Sequence, residues 1–342
     1  MKNILTTAMI VAITASFAHA EEKTLYVAGS GGSTEALFKE NIIPKWEQQN
    51  NTKVVYISGN STDTLAKLRA QAGAQQIDVA MIDDGPMTQA IQFGYCAPVK
   101  SETFKDLYAS AKLPEDKAVG IGFIATGLVY NTKMFADKGW AAPTSWRDLA
   151  DPKYKGLISI PPITNGYGLH ALIMEAKING GGENNIEPGF KMFETEINQN
   201  VLAYEPSPGK MSELFQNGEI ALAVWGSGRV KSLADTGFPV SFVYPKEGAV
   251  SLLTAACPVT GSKLPDLAQN FIGYITSPDV QNLLVKALGY GPVNEKVVVP
   301  DNEIGALPVG AQRVNSMVTI DYSVVNKARG DWTKEWTRRV ER

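Results

Sequence analysis

From residue 23 onward the chain repeats one phrase: a short apolar run, a loop of glycine and small polar residues, then an amphipathic stretch. Residues 23–28 read as a strand, 29–34 as the loop Gly-Ser-Gly-Gly-Ser-Thr, and 35–49 as a helix with Leu37, Ile42 and Trp46 near its apolar side. The phrase returns with strands at 53–57, 78–82, 157–160, 201–204 and 220–225. Helices follow at 63–72, from about 167, at 210–217 and at 229–236. Strands alternating with helices in this way predict an α/β fold. Two stretches break the rhythm. Residues 119–131 and 250–259 are long, extended and apolar, and such strands in mid-chain suit crossings between two lobes. The predicted organisation is a discontinuous first lobe (21–122 plus 256–310), a second lobe (123–255), and C-terminal helices (311–342) packed on the lobes.

A chain of 342 residues is long enough for two such bodies. With 44% hydrophobic side chains it can bury a core in each, which excludes a disordered chain. A formal charge of -3 and a pI near 5.6 leave no basic face for nucleic acid. Two cysteines, Cys96 and Cys257, are too few for a disulfide scaffold or a four-cysteine metal site.

The first twenty residues form a separate unit. Lys2 supplies a positive start, residues 4–17 are mostly apolar, and Ala18-His19-Ala20 has the small-x-small pattern that precedes a signal-peptidase cut. Cleavage after Ala20 with no cysteine at the cut predicts export as a soluble protein without a lipid anchor, most simply to the periplasm. In that oxidising compartment Cys96 and Cys257 either pair or remain two buried thiols. Their separation in sequence leaves both open.

Ligands in open α/β sheets bind outside the carboxyl ends of the strands, so the loops after the strands are where function should sit. The 29–34 loop lets backbone approach a ligand, and Ser33 and Thr34 either face that ligand or cap the next helix. It is neither a Walker A loop nor a full dinucleotide fingerprint, since Thr34 stands where the third glycine would. Asp83 and Asp84 end a buried strand, where a carboxylate can hold a cationic ligand or cap the turn before Pro86. Tyr167, Tyr204 and Trp225 stand near strand-to-loop junctions, as core residues or as ligand platforms. Arg229, close behind Trp225, can grip a carboxylate with two hydrogen bonds or simply be solvated on a first helical turn.

Catalytic motifs are missing. There is no His-Glu-x-x-His zinc motif and no Gly-x-Ser-x-Gly elbow. Beyond His19 of the leader the only histidine is His170, which sits among Leu169, Leu172 and Ile173 and reads as structural. The chain reads as a binder and not an enzyme, with no cofactor and no metal.

A set of short motifs carries a family resemblance. They are Asp78-Val79-Ala80 with Asp83-Asp84-Gly85-Pro86, residues 127–132 (Gly-Leu-Val-Tyr-Asn-Thr), 143–149 (Pro-Thr-Ser-Trp-Arg-Asp-Leu) and 151–156 (Asp-Pro-Lys-Tyr-Lys-Gly). Residues 244–249 (Tyr-Pro-Lys-Glu-Gly-Ala) and 289–294 (Gly-Tyr-Gly-Pro-Val-Asn) continue the set, and Asp321, Tyr322, Val325, Asn326, Arg329, Trp332 and Trp336 complete it. Together they resemble the type II periplasmic solute-binding proteins of ABC importers, in the branch of the spermidine/putrescine binders and the ferric-ion binders. The resemblance implies a ligand caught between two lobes that close by hinge motion, delivery to an inner-membrane permease complex, and a monomer.

Within that branch the ligand stays open. The adjacent tyrosines of ferric binders are absent, and residues 163–167 lack the acids that polyamine binders place there. Arg229 favours an anionic end, with Ser33 and Thr34 beside it, while Asp84 or Glu247 suits an amine. The expectation is a small amine-containing or amino-acid-like solute. A polyamine is the runner-up, ahead of a ferric ion or of a periplasmic enzyme on the same scaffold.

Overall fold

The computed structural model describes residues 23–341, so the expected leader and its cut after Ala20 lie outside the described residues. Among the described residues the strands are β1 (Lys23–Gly29), β2 (Thr52–Ser58), β3 (Val79–Asp83), β4 (Val119–Asn131), β5 (Ile158–Ile160), β6 (Val201–Tyr204), β7 (Leu222–Gly226), β8 (Val240–Val243) and β9 (Val250–Pro258). They form one mixed sheet in the order β2-β1-β3-β9-β4-β7-β5-β6, with β8 added on β4. The two long stretches that broke the rhythm are β4 and β9, the centre of that order. They pair antiparallel from Val119 opposite Ala256 to Thr126 opposite Val250.

Each of the two strands also has a partner on its other edge. From Thr254, β9 pairs with β3 as well, with Asp83 opposite Thr254 and Val79 opposite Pro258. From Thr126, β4 pairs with β7, and from Leu128 with β8. Outside this antiparallel centre the pairs β1/β2, β1/β3, β5/β6 and β5/β7 are parallel, each reached through a helical crossover. Apolar packing divides along the same line. One core draws on residues 25–125 and 249–317, the other on 128–250 and 322–340. Within β4 the change falls between Ala125 and Leu128, so the paired strands are the covalent bridge between two packed bodies.

Several helices begin earlier than the apolar pattern implies, because their polar first turns carry the caps. Asn60 accepts from the Asp63 amide ahead of the Ser61–Ala70 helix, and Ser207 caps Pro208–Gln216. The helix expected at 35–49 begins at Ser33 and runs through a π-helical turn, Phe38–Ile42, into Ile43–Asn50. Trp46 is fully buried there and donates its indole N–H to Asn270. Cys96 and Cys257 form a disulfide with Cα atoms 5.6 Å apart. Both belong to the first core, so the bond ties together its two sequence pieces.

The Tyr322–Arg339 helix closes the chain, with Asp321 accepting from the Ser323 amide as its cap. Its buried side chains, Tyr322, Val325, Trp332 and Trp336, belong to the second core. Trp336 meets Phe193 and Tyr204 edge-on at 4.9 and 5.2 Å. No helix among the described residues is long and apolar enough to cross a membrane.

Candidate functional site

The carboxyl ends of β3, β5 and β7 open on one cleft, and the helix after each strand begins at its wall. Asp84–Gln92 follows β3, Gly166–Ile178 follows β5 after a short loop, and Ser227–Ala234 follows β7. The cavity has a volume of about 690 Å³ and takes lining from both bodies. Asn60, Ser61, Asp83 and Asp84 lie on one side, and Asn165, Tyr167 and Arg229 on the other. A second hollow, bounded by Ser30, Gly31, Gly32 and Glu35, shares Asn60, Ser61 and Asp83 with it. The Gly-rich loop after β1 therefore opens beside the same acid.

Asp83 caps β3 and is held by hydroxyls. Ser61 Oγ donates to its Oδ2 at 3.0 Å, and Thr254 Oγ1 to its Oδ1 at 3.4 Å. Burial pushes its carboxyl up, while those hydroxyls and the Arg329 guanidinium oppose the rise. Asp84 is gripped by backbone: Leu253 N–H donates to Oδ2 at 3.1 Å and Gly85 N–H to Oδ1 at 3.0 Å. Burial, and after it the neighbouring charge of Asp83, pushes Asp84 up to about 7, against the pull of those amides and of Tyr322.

Opposite the acids, Tyr167 lies over the β7 end. Gly226 makes that approach possible, because a Cβ there would collide with the Tyr167 hydroxyl. Asn165 accepts from the Tyr167 amide at 2.9 Å and fixes the first turn. Arg229 lines the same wall near the Tyr167 hydroxyl, and it is exposed. Burial pushes the Tyr167 phenol up to about 12, so at neutral pH it presents a neutral donor or acceptor to the cavity.

Four of the residues expected at the site, Asp83, Asp84, Tyr167 and Arg229, are brought to one cavity. Thr34 and Ser33 line neither the cavity nor the hollow beside it: Ser33 is exposed, and Thr34 is half-buried near Tyr290. Three others lie elsewhere. Tyr204 donates to Asn198 Oδ1 at 2.7 Å and packs on Trp336, because β6 is the sheet edge that the C-terminal helix covers. The Trp225 indole points to the opposite face of β7, where it is 2% exposed and stacked on Phe215. Glu247 is committed to a loop brace, accepting from the Ser145 hydroxyl and the Trp146 amide.

Other residues enter the site without having been expected there. Tyr290 crosses the bridge strand at Gly122, where any Cβ would collide with its ring, and its hydroxyl reaches Thr254 and Thr34. The C-terminal helix supplies Tyr322, Asn326 and Arg329. Asn326 donates to Gly85 O at 2.9 Å in the first body, while Arg329 donates to Thr164 O at 3.0 Å and Ile163 O at 3.3 Å in the second. A helix that packs on one core thus touches both sides of the cleft. The strand-loop-helix rule marks residues 58–62 and 163–167 as site loops, but nothing local marks Arg329.

Known proteins share this α/β fold. Residues 41–308 match the bacterial extracellular solute-binding protein family. The chain belongs to that family. A putrescine/cadaverine-binding protein of Pseudomonas aeruginosa is 24% identical over 100% of this chain and 96% of its own. A spermidine/putrescine-binding periplasmic protein of Haemophilus influenzae is 24% identical, covering 85% of this chain and 84% of its own. A crystal structure of an ABC transporter protein from Clostridium perfringens superposes with a TM-score of 0.81 at 26% identity, covering 92% of this chain and 99% of that one. As a member of the family the chain is the solute-binding component of an ABC transporter, with the two-lobed α/β fold that the motifs implied.

Proposed function

We propose that the cleft captures a small solute with one cationic amine and one anionic end, as in an ω-amino acid. The observation that carries this reading is the opposition of Asp83 and Asp84 on one wall to Arg229, with Tyr167, on the other. Two acids facing two arginines, Arg229 and Arg329, suit a ligand of mixed charge better than one with amines at both ends. Ligand contacts to both walls favour the closed arrangement by the affinity difference between closed and open states. The closed protein, exported to the periplasm after cleavage behind Ala20, would act as a monomer that docks on its membrane permease and does no chemistry on the solute.

The second reading is a polyamine, favoured by the names of the polyamine-binding relatives. Calorimetry on the purified protein separates the two. Binding of 4-aminobutyrate or a related ω-amino acid, with weak response to putrescine, is the expected result. Putrescine or spermidine binding with no response to any amino acid overturns the mixed-charge reading.

A further inference from the structure

The histidine that stood apart from any motif has a specific place in the cleft floor. His170 is fully buried on the Gly166–Ile178 helix. Its Nδ1 is 2.8 Å from Thr126 Oγ1 on β4, and its Nε2 is 2.9 Å from the Tyr322 hydroxyl. Tyr322, at the start of the C-terminal helix, lays its ring against Gly85, the residue after Asp84, and its hydroxyl acts on the Asp84 carboxyl. Asp84 in turn accepts from Leu253 N–H on β9. The path therefore begins on one bridge strand, passes through both bodies and the C-terminal helix, and ends on the other bridge strand.

Hydrogen-bond donors fix its direction. Asp84 already accepts two backbone N–H groups, which suits a carboxylate, so the Tyr322 O–H points toward it. The Tyr322 oxygen is then free to accept from His170 Nε2–H. That leaves Nδ1 bare, to accept from the Thr126 hydroxyl. Burial holds the His170 imidazole neutral, down to about 3, with the Arg329 charge acting in the same sense. The charged and titratable groups facing the relay are Asp83 from β3 and Arg329 from the C-terminal helix.

We propose that Thr126, His170, Tyr322 and Asp84 form a directed relay that ties the two bridge strands across the cleft floor, so that Asp84 is a strut and Asp83 alone receives the solute's cationic end. His170 and Tyr322 are then positioning residues. Asp84 has both carboxylate oxygens fixed by backbone N–H groups, with the Tyr322 hydroxyl acting on it as well, whereas Asp83 is held by the side-chain hydroxyls of Ser61 and Thr254. One available carboxylate means one ammonium position. The cleft would then discriminate against diamines by leaving their second cation opposite Arg229. The assignment of Asp83 rests on the solute reading above; the relay does not.

Nitrogen-15 histidine spectra of the ligand-free protein test the relay directly, because His170 is the one histidine among the described residues. A ring that stays neutral from pH 5 to pH 8, and that is in the Nε2–H tautomer at pH 8 where Asp84 is ionised, is expected. An Nδ1–H tautomer, or a ring that titrates near its ordinary value, overturns the relay. In Tyr322→Phe the single tautomer should give way to a mixture, and an unchanged spectrum also overturns it. The Asp83 assignment is tested with 4-aminobutyrate as probe. Asp83→Asn should weaken binding about tenfold or more, since a charge-assisted hydrogen bond is lost, and Tyr322→Phe should weaken it less. The reverse order overturns that assignment. If no amine binds the unaltered protein, the solute reading fails while the histidine spectrum still decides the relay.

Discussion

The two walls of the cleft are built differently. On the first, Asp83 and Asp84 leave the end of a buried strand already bonded to Ser61, Thr254, Gly85 and Leu253. On the second, Arg229 projects from a first helical turn, exposed, with the Tyr167 hydroxyl near it. The first wall therefore holds its charge in one place without a ligand. The second keeps a long side chain free to follow an anion as the lobes close, and ordering that chain costs about 1–2 kcal/mol of conformational entropy. The acid wall sets where an amine must sit, and the arginine wall has more latitude in the length of ligand it accepts.

Disrupting the scaffold behind the fixed wall should have the largest effect. The Cys96–Cys257 bond spans 161 positions, so strands β4 to β8 all lie inside the loop it closes. Replacing both cysteines by serine should lower stability by about 2–5 kcal/mol, read as a drop in melting temperature. The loss should fall on the first body, and amide exchange that rises equally in β5–β7 would show that the two walls are not separately braced. Asp83→Asn comes next, with affinity for a cationic-end probe falling about ten- to a hundredfold. Arg229→Ala should cost less, about tenfold, and only for ligands with an anionic end. If Arg229→Ala proves the more damaging of the two, the contrast between a fixed and an adaptable wall is wrong.

Much of this was legible in the sequence because it rests on local pattern. The strand-loop-helix phrase located Asp83, Asp84, Tyr167 and Arg229, which all stand where a strand gives way to a helix. The bridge strands were legible as well, since β4 is buried on both faces and so reads as one unbroken apolar run. Tyr204 and Trp225 stand near strand ends as well and yet face away, while Glu247 lies in the turn between β8 and β9. A one-residue difference along a strand turns a side chain to the other face of the sheet, and composition does not record that phase. Tyr322, Asn326 and Arg329 reach the cleft only through tertiary packing. A largely polar C-terminal helix carries nothing in its own pattern that says which lobe it will strap.

The smallest effect concerns the interior of the second body, where Glu175 offers a control for Asp84. Both carboxyls are pushed up by burial, but Glu175 is fully buried on the helix that carries His170, with no hydrogen-bond partner for its Oε1. Its other oxygen accepts only a long 3.5 Å bond from Asn179. Burial raises it to about 8 from an ordinary 4.5, with Arg147 opposing and Glu247 and Glu196 assisting. The folded state therefore binds this proton more tightly than the unfolded chain. Stability linked to Glu175 is fully present below its ordinary value and is lost as pH rises toward 8. His170, held neutral in the fold, contributes the opposite slope, but only below its ordinary value of 6.5. Above neutrality the His170 slope is absent, and the Glu175 slope adds to whatever remains of the Asp83 and Asp84 titrations. Melting temperatures at pH 7 and pH 8.5 should thus fall in the unaltered protein and fall less in Glu175→Gln, which keeps the side-chain carbonyl that Asn179 uses. Ligand affinity should not change with that substitution, since Glu175 faces the core and not the cleft. A pH slope that survives Glu175→Gln and disappears in Asp84→Asn would place the titration in the partnered carboxyl of the cleft floor instead of the isolated one.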